Sequence, residues 1–263
     1  MSTFAGGDGL KKRFYKTADV AEVEDGWAVT LDGRRLRTPA QAALALPSQD
    51  MAAAVAAEWQ FQSAQHIRPY TMPIFSLIST AVDVYAQPGH RERVVDALCQ
   101  FLPADVACCR HEPDTPLAAR QAERFDPLIA EANDAVPGLG LVASASLWGA
   151  EHSAFTTESA GEFLRSLGDL ELAVFEELCR ATRSFVISFA LFTGRVGAAE
   201  AVELSRLEES AQIREWGLVE GGHDIDIADL EARLAACEAM LWLVRRAGAA
   251  ARKDLVVGLQ AEV

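Results

Sequence analysis

Between Lys12 and Leu46 the apolar positions come in short alternating runs. Val20 and Val23 lead to Asp25-Gly26. Trp27, Val29 and Leu31 alternate up to Asp32-Gly33, and Leu36 follows before Thr38-Pro39. Alternation sends successive side chains to opposite faces of a strand, and Asp-Gly between such runs is a strong local hairpin signal. The stretch reads as a small antiparallel meander ending near Leu46.

The period then lengthens. Ser48 is placed to cap a helix on which Met51, Val55, Trp59 and Gln62 share a face. A lone meander is marginally stable, so this helix is expected to close one side of it. After a connector framed by Pro69 and Pro73, the spacing predicts helices over 74–85, 91–102, 117–135, 159–167, 170–193, 198–216 and 227–246. Two short stretches, 105–110 and 139–146, read as strands that either pair with each other or join the first sheet. The last helix carries the clearest stripe, Ile227, Leu230, Leu234, Cys237, Leu241 and Val244. Asp226 is placed to cap its start, and Gly248 follows its expected end. The pattern predicts an α+β protein, with a small antiparallel β-rich domain over 10–66 and a larger, mainly α-helical domain over 67–263.

Charge narrows the function. The 263 residues carry a formal net charge of −14, which argues against nucleic acid as a partner, since phosphates call for a basic footprint. The longest apolar run, Phe185–Phe192, is far short of the roughly 20 residues a spanning helix needs, so no membrane insertion is expected. Met1–Leu10 lacks the apolar core of a secretory signal and the Arg-rich character of a mitochondrial transit peptide. The five cysteines form no Cys-x-x-Cys pair, and Cys179 and Cys237 fall in apolar helical patterns, as buried thiols of a reducing compartment do.

Catalytic signatures are missing. There is no phosphate-cradling Gly-rich loop ending in Lys-Ser/Thr, no His-Glu-x-x-His helix and no Gly-x-Ser-x-Gly elbow. Gly138-Leu-Gly140 loosely matches a dinucleotide fingerprint but follows Pro137 and leads into an extended stretch, not a helix. The pair His223-Asp224 invites a metal-dependent phosphohydrolase reading. Such a site needs further His and Asp ligands, and carboxylates just before a helix have a plainer use in satisfying its free N–H groups. Neither a metal nor a cofactor is expected.

The segment Arg206 to Asp226, RLEESAQIREWGLVEGGHDID, is the most distinctive. On one continuous helix, Leu204, Leu207 and Ala211 make one apolar face, and Val202, Ile213 and Trp216 make another nearly opposite. Glu208 and Gln212 fall on an edge between them. Glu209 falls inside the second face, where a carboxylate needs a partner, and Arg206 is within reach of it. The carboxylates serve either as a polar rim that meets a partner or as an internal ion-pair network. Gly217 is placed to end the helix.

This segment resembles the signature of the ATP-twelve assembly chaperones of mitochondria and α-proteobacteria. Other blocks agree in order: RFYK (Arg13–Lys16), LDGRRLRTP (Leu31–Pro39), Glu58-Trp59-x-x-Gln62, Met72-Pro73, Asp105–Arg110, the Gln121 block through Asp126-Pro127, and the apolar helix ending at Gly194. Phe125 stands where the resemblance leads one to expect Trp. The resemblance implies a non-enzymatic chaperone that binds the free α subunit of the F-type ATP synthase catalytic sector and shields its β-facing interface. It implies a monomer in the bacterial cytoplasm, with eukaryotic relatives in the mitochondrial matrix. Glu208, Glu209, Gln212, Glu220, His223 and Asp224 are the expected client-binding residues, and Trp59 and Trp216 the expected structural ones. The rival readings are the phosphohydrolase already weighed and a generic protein-binding scaffold.

Overall fold

The computed structural model describes residues 11–146, 148–217 and 223–260. Its packing divides into two compact units, residues 1–87 together with 239–263, and residues 88–238.

In the first unit, β2 (Ala18–Val23), β3 (Gly26–Leu31) and β4 (Arg34–Arg35) form an antiparallel sheet in the order β2-β3-β4, and β1 (Lys11–Lys12) pairs with β5 (His66–Ile67). Both Asp-Gly pairs lie at turns. Asp32 and Gly33 take positive φ values of 48° and 79°, the signature of the mirror-image turn that matches strand twist. Gly26 has φ 124°, and a Cβ there would sit 2.5 Å from the Leu46 carbonyl oxygen, so only glycine fits.

Helix α1 (Gln49–Gln60) covers the sheet. It is capped by Ser48, whose side chain accepts from the Met51 amide, and Met51, Val55 and Trp59 are buried on its inner face. Arg13 binds its far end, donating to the Gln60 and Gln62 carbonyls at 3.3 and 2.7 Å, where a cation complements the unsatisfied carbonyls. Helix α2 (Pro73–Ser79) continues as one π-helical segment, Thr80–Val84. Glu58 of α1 holds the start of α2. Its two carboxylate oxygens accept the amides of Ile74 and Phe75, each at 2.7 Å.

The second unit is helical. It contains α3 (His90–Cys99), α4 (Pro116–Ala135), α5 (Ala154–Ser166), α6 (Asp169–Thr182), α7 (Phe185–Thr193), α8 (Ala198–Ser205) and α9 (Leu207–Trp216). Helix α10 (His223–Gln260) contributes its first part here and its later part to the first unit. Helix α7 is buried from Phe185 through Leu191, as a helix apolar all round must be. Phe163, Phe175, Phe185 and Phe189 pack rings around it with edge-on geometry at 5.2–6.0 Å for most pairs. The stripe on α10 holds: Leu234, Cys237 and Leu241 are buried, with Ile227, Leu230 and Val244 half-buried.

Several expected elements come out differently. The helix expected over 170–193 is two, because Arg183 adopts a left-handed φ of 56° and Ser184 starts α7 as its N-cap. The helix expected over 198–216 breaks at Arg206. Helix α10 begins at His223, so Asp226 lies within it, and it continues through Gly248. The stretches 105–110 and 139–146 meet each other, but through a single parallel bridge, Cys109 to Ser144. A strand cannot run through 105–110 because the amides of Cys108 and Cys109 both turn back to the Asp105 carbonyl, at 2.9 and 2.8 Å.

Candidate functional site

The segment singled out above forms a bent helix pair. At Arg206 the backbone leaves helical geometry, with φ −111° and ψ 16°, separating α8 from α9. Leu204 and Leu207 flank the break, and both are buried. The bend defeats the continuous wheel, on which Ile213 belonged to a fully packed second face. In the structure Ile213 and Ala211 are only half-buried.

The bend also sorts the two neighbouring glutamates. Arg206, its side chain nearly buried, donates from Nε and Nη2 to the Glu209 carboxylate at 2.9 and 2.8 Å. A two-point contact of this kind is the strong form of an ion pair. Glu208 is exposed, with Gln212 one turn on donating to its Oε1 at 3.4 Å. Thus Glu209 is tied into the chain, while Glu208 and Gln212 present an exposed polar edge.

Helix α9 packs against α4, and the neighbourhood of Glu208 is charged. Burial pushes the Cys109 thiol up from its ordinary value, Asp105 adds to the push, Arg110 opposes it, and Glu208 raises it further. Arg110 lies over the Phe125 ring at 5.4 Å and pairs with Asp126 at 2.6 Å. Phe125, present in place of the expected Trp, is fully packed. The Gln121 side chain accepts the His111 amide at 2.8 Å, which fixes the segment that carries Arg110. The Asp105–Arg110 and Gln121–Pro127 blocks are therefore one piece of local architecture.

Asp105 is a buried carboxylate that pattern reading placed in a strand. Its Oδ1 accepts from the Ser184 hydroxyl at 2.6 Å and the Ala107 amide at 2.8 Å. Its Oδ2 accepts from the Phe185 and Val186 amides at 2.6 and 3.2 Å. Burial raises its pKa, and these four donors pull it back. Asp105 thus satisfies the free amides at the start of the central helix α7. The sequence signal is a lone Asp amid apolar residues; with 170–193 read as one helix, there is no start for it to cap.

Trp59 lies where the apolar face put it. It is 8% exposed, its ring packs against Tyr15 and Phe75 at 5.6 and 5.3 Å, and its carbonyl accepts from the Tyr15 hydroxyl at 2.6 Å. Glu58 beside it has a pKa pushed up to about 7 by burial, against the pull of the Phe75 and Ile74 amides. Glu220 lies outside the described residues, as do the side chains of Trp216, His223 and Asp224. Among the described residues no group of three His, Cys, Asp or Glu side chains is placed to hold a metal ion, and no helix is long and apolar enough to cross a membrane. All five cysteines are free thiols.

The family model described as ATP12 chaperone protein matches residues 12–133. A Schizosaccharomyces pombe protein, mitochondrial atp12, is 29% identical over 235 residues, covering 86% of this chain and 80% of its own. The Saccharomyces cerevisiae mitochondrial ATP12 protein is 23% identical over 253 residues, covering 81% and 78%. Among solved structures, Atp12 from Paracoccus denitrificans superposes with a TM-score of 0.78 at 28% identity, covering 88% of this chain and 97% of that one. A structure from Agrobacterium tumefaciens aligns with the same score and identity, covering 88% and 86%.

Proposed function

Since the chain belongs to the ATP12 family of ATP synthase assembly chaperones, we propose that it holds the free α subunit of the catalytic sector and shields its β-facing interface until the ring forms. The family is one of chaperones, not enzymes, and the chemistry required is that of binding. An isolated subunit of an obligate ring exposes a large apolar interface that aggregates if left uncovered. The chaperone must cover it and then yield to β, which favours a contact steered by charge over one of maximal affinity. The protein acts as a monomer, in the cytoplasm of a bacterium; the two yeast relatives are named as mitochondrial.

The observation that carries the site is the divergence of Glu208 from Glu209. Glu209 is held by Arg206, whereas Glu208 and Gln212 form an exposed edge on α9. Glu208 and Gln212 are the client contact. Glu220, His223 and Asp224 extend it along the same stretch of chain, and Glu209 holds the edge in place. The test is co-purification of tagged α subunit with wild-type and Glu208→Lys chaperone, with β expressed separately as a control. Loss of α capture at an unchanged melting temperature supports the contact. Normal capture by Glu208→Lys removes Glu208 from it.

A further inference from the structure

The first unit contains a groove of about 950 Å³. Its floor is apolar, with Trp59, Phe75, Met72 and Leu31 among the lining side chains, and exposed Phe14 stands at its rim. That volume lies near the upper end of ordinary ligand pockets, roughly 300–1,000 Å³.

Two features of the lining point to a ligand. The Trp59 indole Nε1 and the Ser79 hydroxyl are buried without a hydrogen-bond partner, although each belongs to a residue about nine-tenths buried. Buried donors of this kind are normally satisfied. Neither atom is open to the groove as it stands, and an occupant whose carbonyl oxygens displace the side chains over them would satisfy both. The second feature is charge. In a chain of net charge −14, exposed Arg34, Arg35 and Arg37 all line this groove. Arg35 and Arg37 donate to the Leu44 and Gln41 carbonyls, and none of the three has a carboxylate partner among the described residues. The two carboxylates in the lining are engaged elsewhere. Asp32 accepts the Lys16 and Thr17 amides, and Asp83 accepts the Thr38 hydroxyl and the Ala40 amide.

We propose that this groove binds an extended acidic polypeptide segment, seating an apolar side chain on the Trp59–Phe75 floor and its carboxylates on Arg34 and Arg37. A nucleotide or free phosphate fits poorly. The nearby helix start that would cradle a phosphate is taken, because the amides of Ile74 and Phe75 already go to Glu58. The segment contributes backbone carbonyls for Trp59 and Ser79 and carboxylates for the arginines, which a phosphate does not supply together. The inference is independent of the Glu208 contact, since every lining residue lies in the first unit.

The test is fluorescence anisotropy with a labelled twelve-residue peptide of alternating Asp/Glu and Leu, against a counterpart with Lys at each acidic position. The acidic peptide is expected to bind and the basic one not. The double variant R34E/R37E should weaken binding at least tenfold, Ser79→Ala should weaken it several-fold, and K12E/K16E, with the same charge change outside the groove, should leave it within about twofold. Melting curves verify that each variant is folded. Should R34E/R37E misfold, Ser79→Ala and a peptide-binding salt titration carry the test. Equal binding of both peptides, equal loss in K12E/K16E, or displacement of the peptide by millimolar ATP or inorganic phosphate overturns the proposal. Glu208→Lys should bind the acidic peptide normally, so a failed groove and a failed client contact give different results.

Discussion

Arg206 holds Glu209 through two hydrogen bonds while turning the helix axis, and in doing so leaves Glu208 facing solvent. Adjacent residues of one type thereby acquire different roles. Replacing Glu209 strands a guanidinium whose side chain is only 12% exposed. Glu209→Lys should destabilise the fold by about 2–3 kcal/mol, within the range for losing hydrogen bonds to a charged group. Glu208→Lys should move stability by no more than about 0.5 kcal/mol, as surface substitutions do, and abolish α-subunit capture. Urea melts and co-purification on both variants check the pair. A Glu209→Lys protein as stable as wild type would refute the assignment.

Trp59 is held by rings on two sides, and its indole nitrogen makes no hydrogen bond. Trp59→Ala should cost about 3–5 kcal/mol through the cavity it leaves. Trp59→Phe keeps an aromatic ring and forfeits no hydrogen bond within the chain, so it should cost less than half as much. Chemical denaturation of the two variants separates packing from polar loss. Equal costs would mean that the indole nitrogen has a partner in solution.

Much of the first unit was legible because its signals are local. Asp32-Gly33 dictates a turn that positive φ alone satisfies, and Ser48 caps a helix whose apolar face follows at once. The helical unit was harder because its breaks depend on groups distant in sequence. Nothing next to Ser184 reveals that Asp105 will accept the amides beside it, so two helices read as one. The bend at Arg206 is hidden for another reason: a wheel assumes a straight axis, and the apolar residues on either side of the bend obey helical spacing closely enough to conceal it. The Arg206–Glu209 pair, three residues apart, was read correctly. The groove was invisible, since its lining comes from strand, turn and helix residues that share no period.

The cap at the start of α7 predicts a large effect from one atom group. Asp105→Ala removes four hydrogen bonds and leaves the Ala107, Phe185 and Val186 amides buried without this acceptor. Unsatisfied buried donors cost about 1–3 kcal/mol each, so the variant should be destabilised by at least about 3 kcal/mol. Asp105→Asn retains one accepting oxygen and should fall between it and wild type. Thermal melts supply the order, and hydrogen exchange at Phe185 and Val186 locates the loss. Protection at these two amides as high as in wild type would contradict the capping role.

Glu58 gives the fold a pH dependence of predictable sign. Its pKa stands at about 7 in the folded chain, raised by burial from an ordinary 4.5. Between these values the folded protein retains a proton that the unfolded chain has released. Stability therefore falls as pH rises through that window, because the unfolded state binds fewer protons there. The contribution is fully present below pH 4.5 and gone above pH 7. Other carboxylates act oppositely: Asp32 is pulled down by the Thr17 and Lys16 amides, so its stabilisation is lost as pH falls, below the Glu58 window. Glu58→Gln isolates the term. Glutamine keeps one accepting oxygen, so one of the Ile74 and Phe75 amides loses its acceptor, and stability should drop by about 1–3 kcal/mol. The drop should be greatest at pH 5, where wild type still has the benefit of the raised pKa, and smaller at pH 7.5. Urea denaturation of wild type and variant at half-unit steps from pH 4.5 to 7.5 measures the difference directly. A gap between the two proteins that widens as pH rises would show that the two amides hold Glu58 ionised throughout, and that burial is the weaker influence on it.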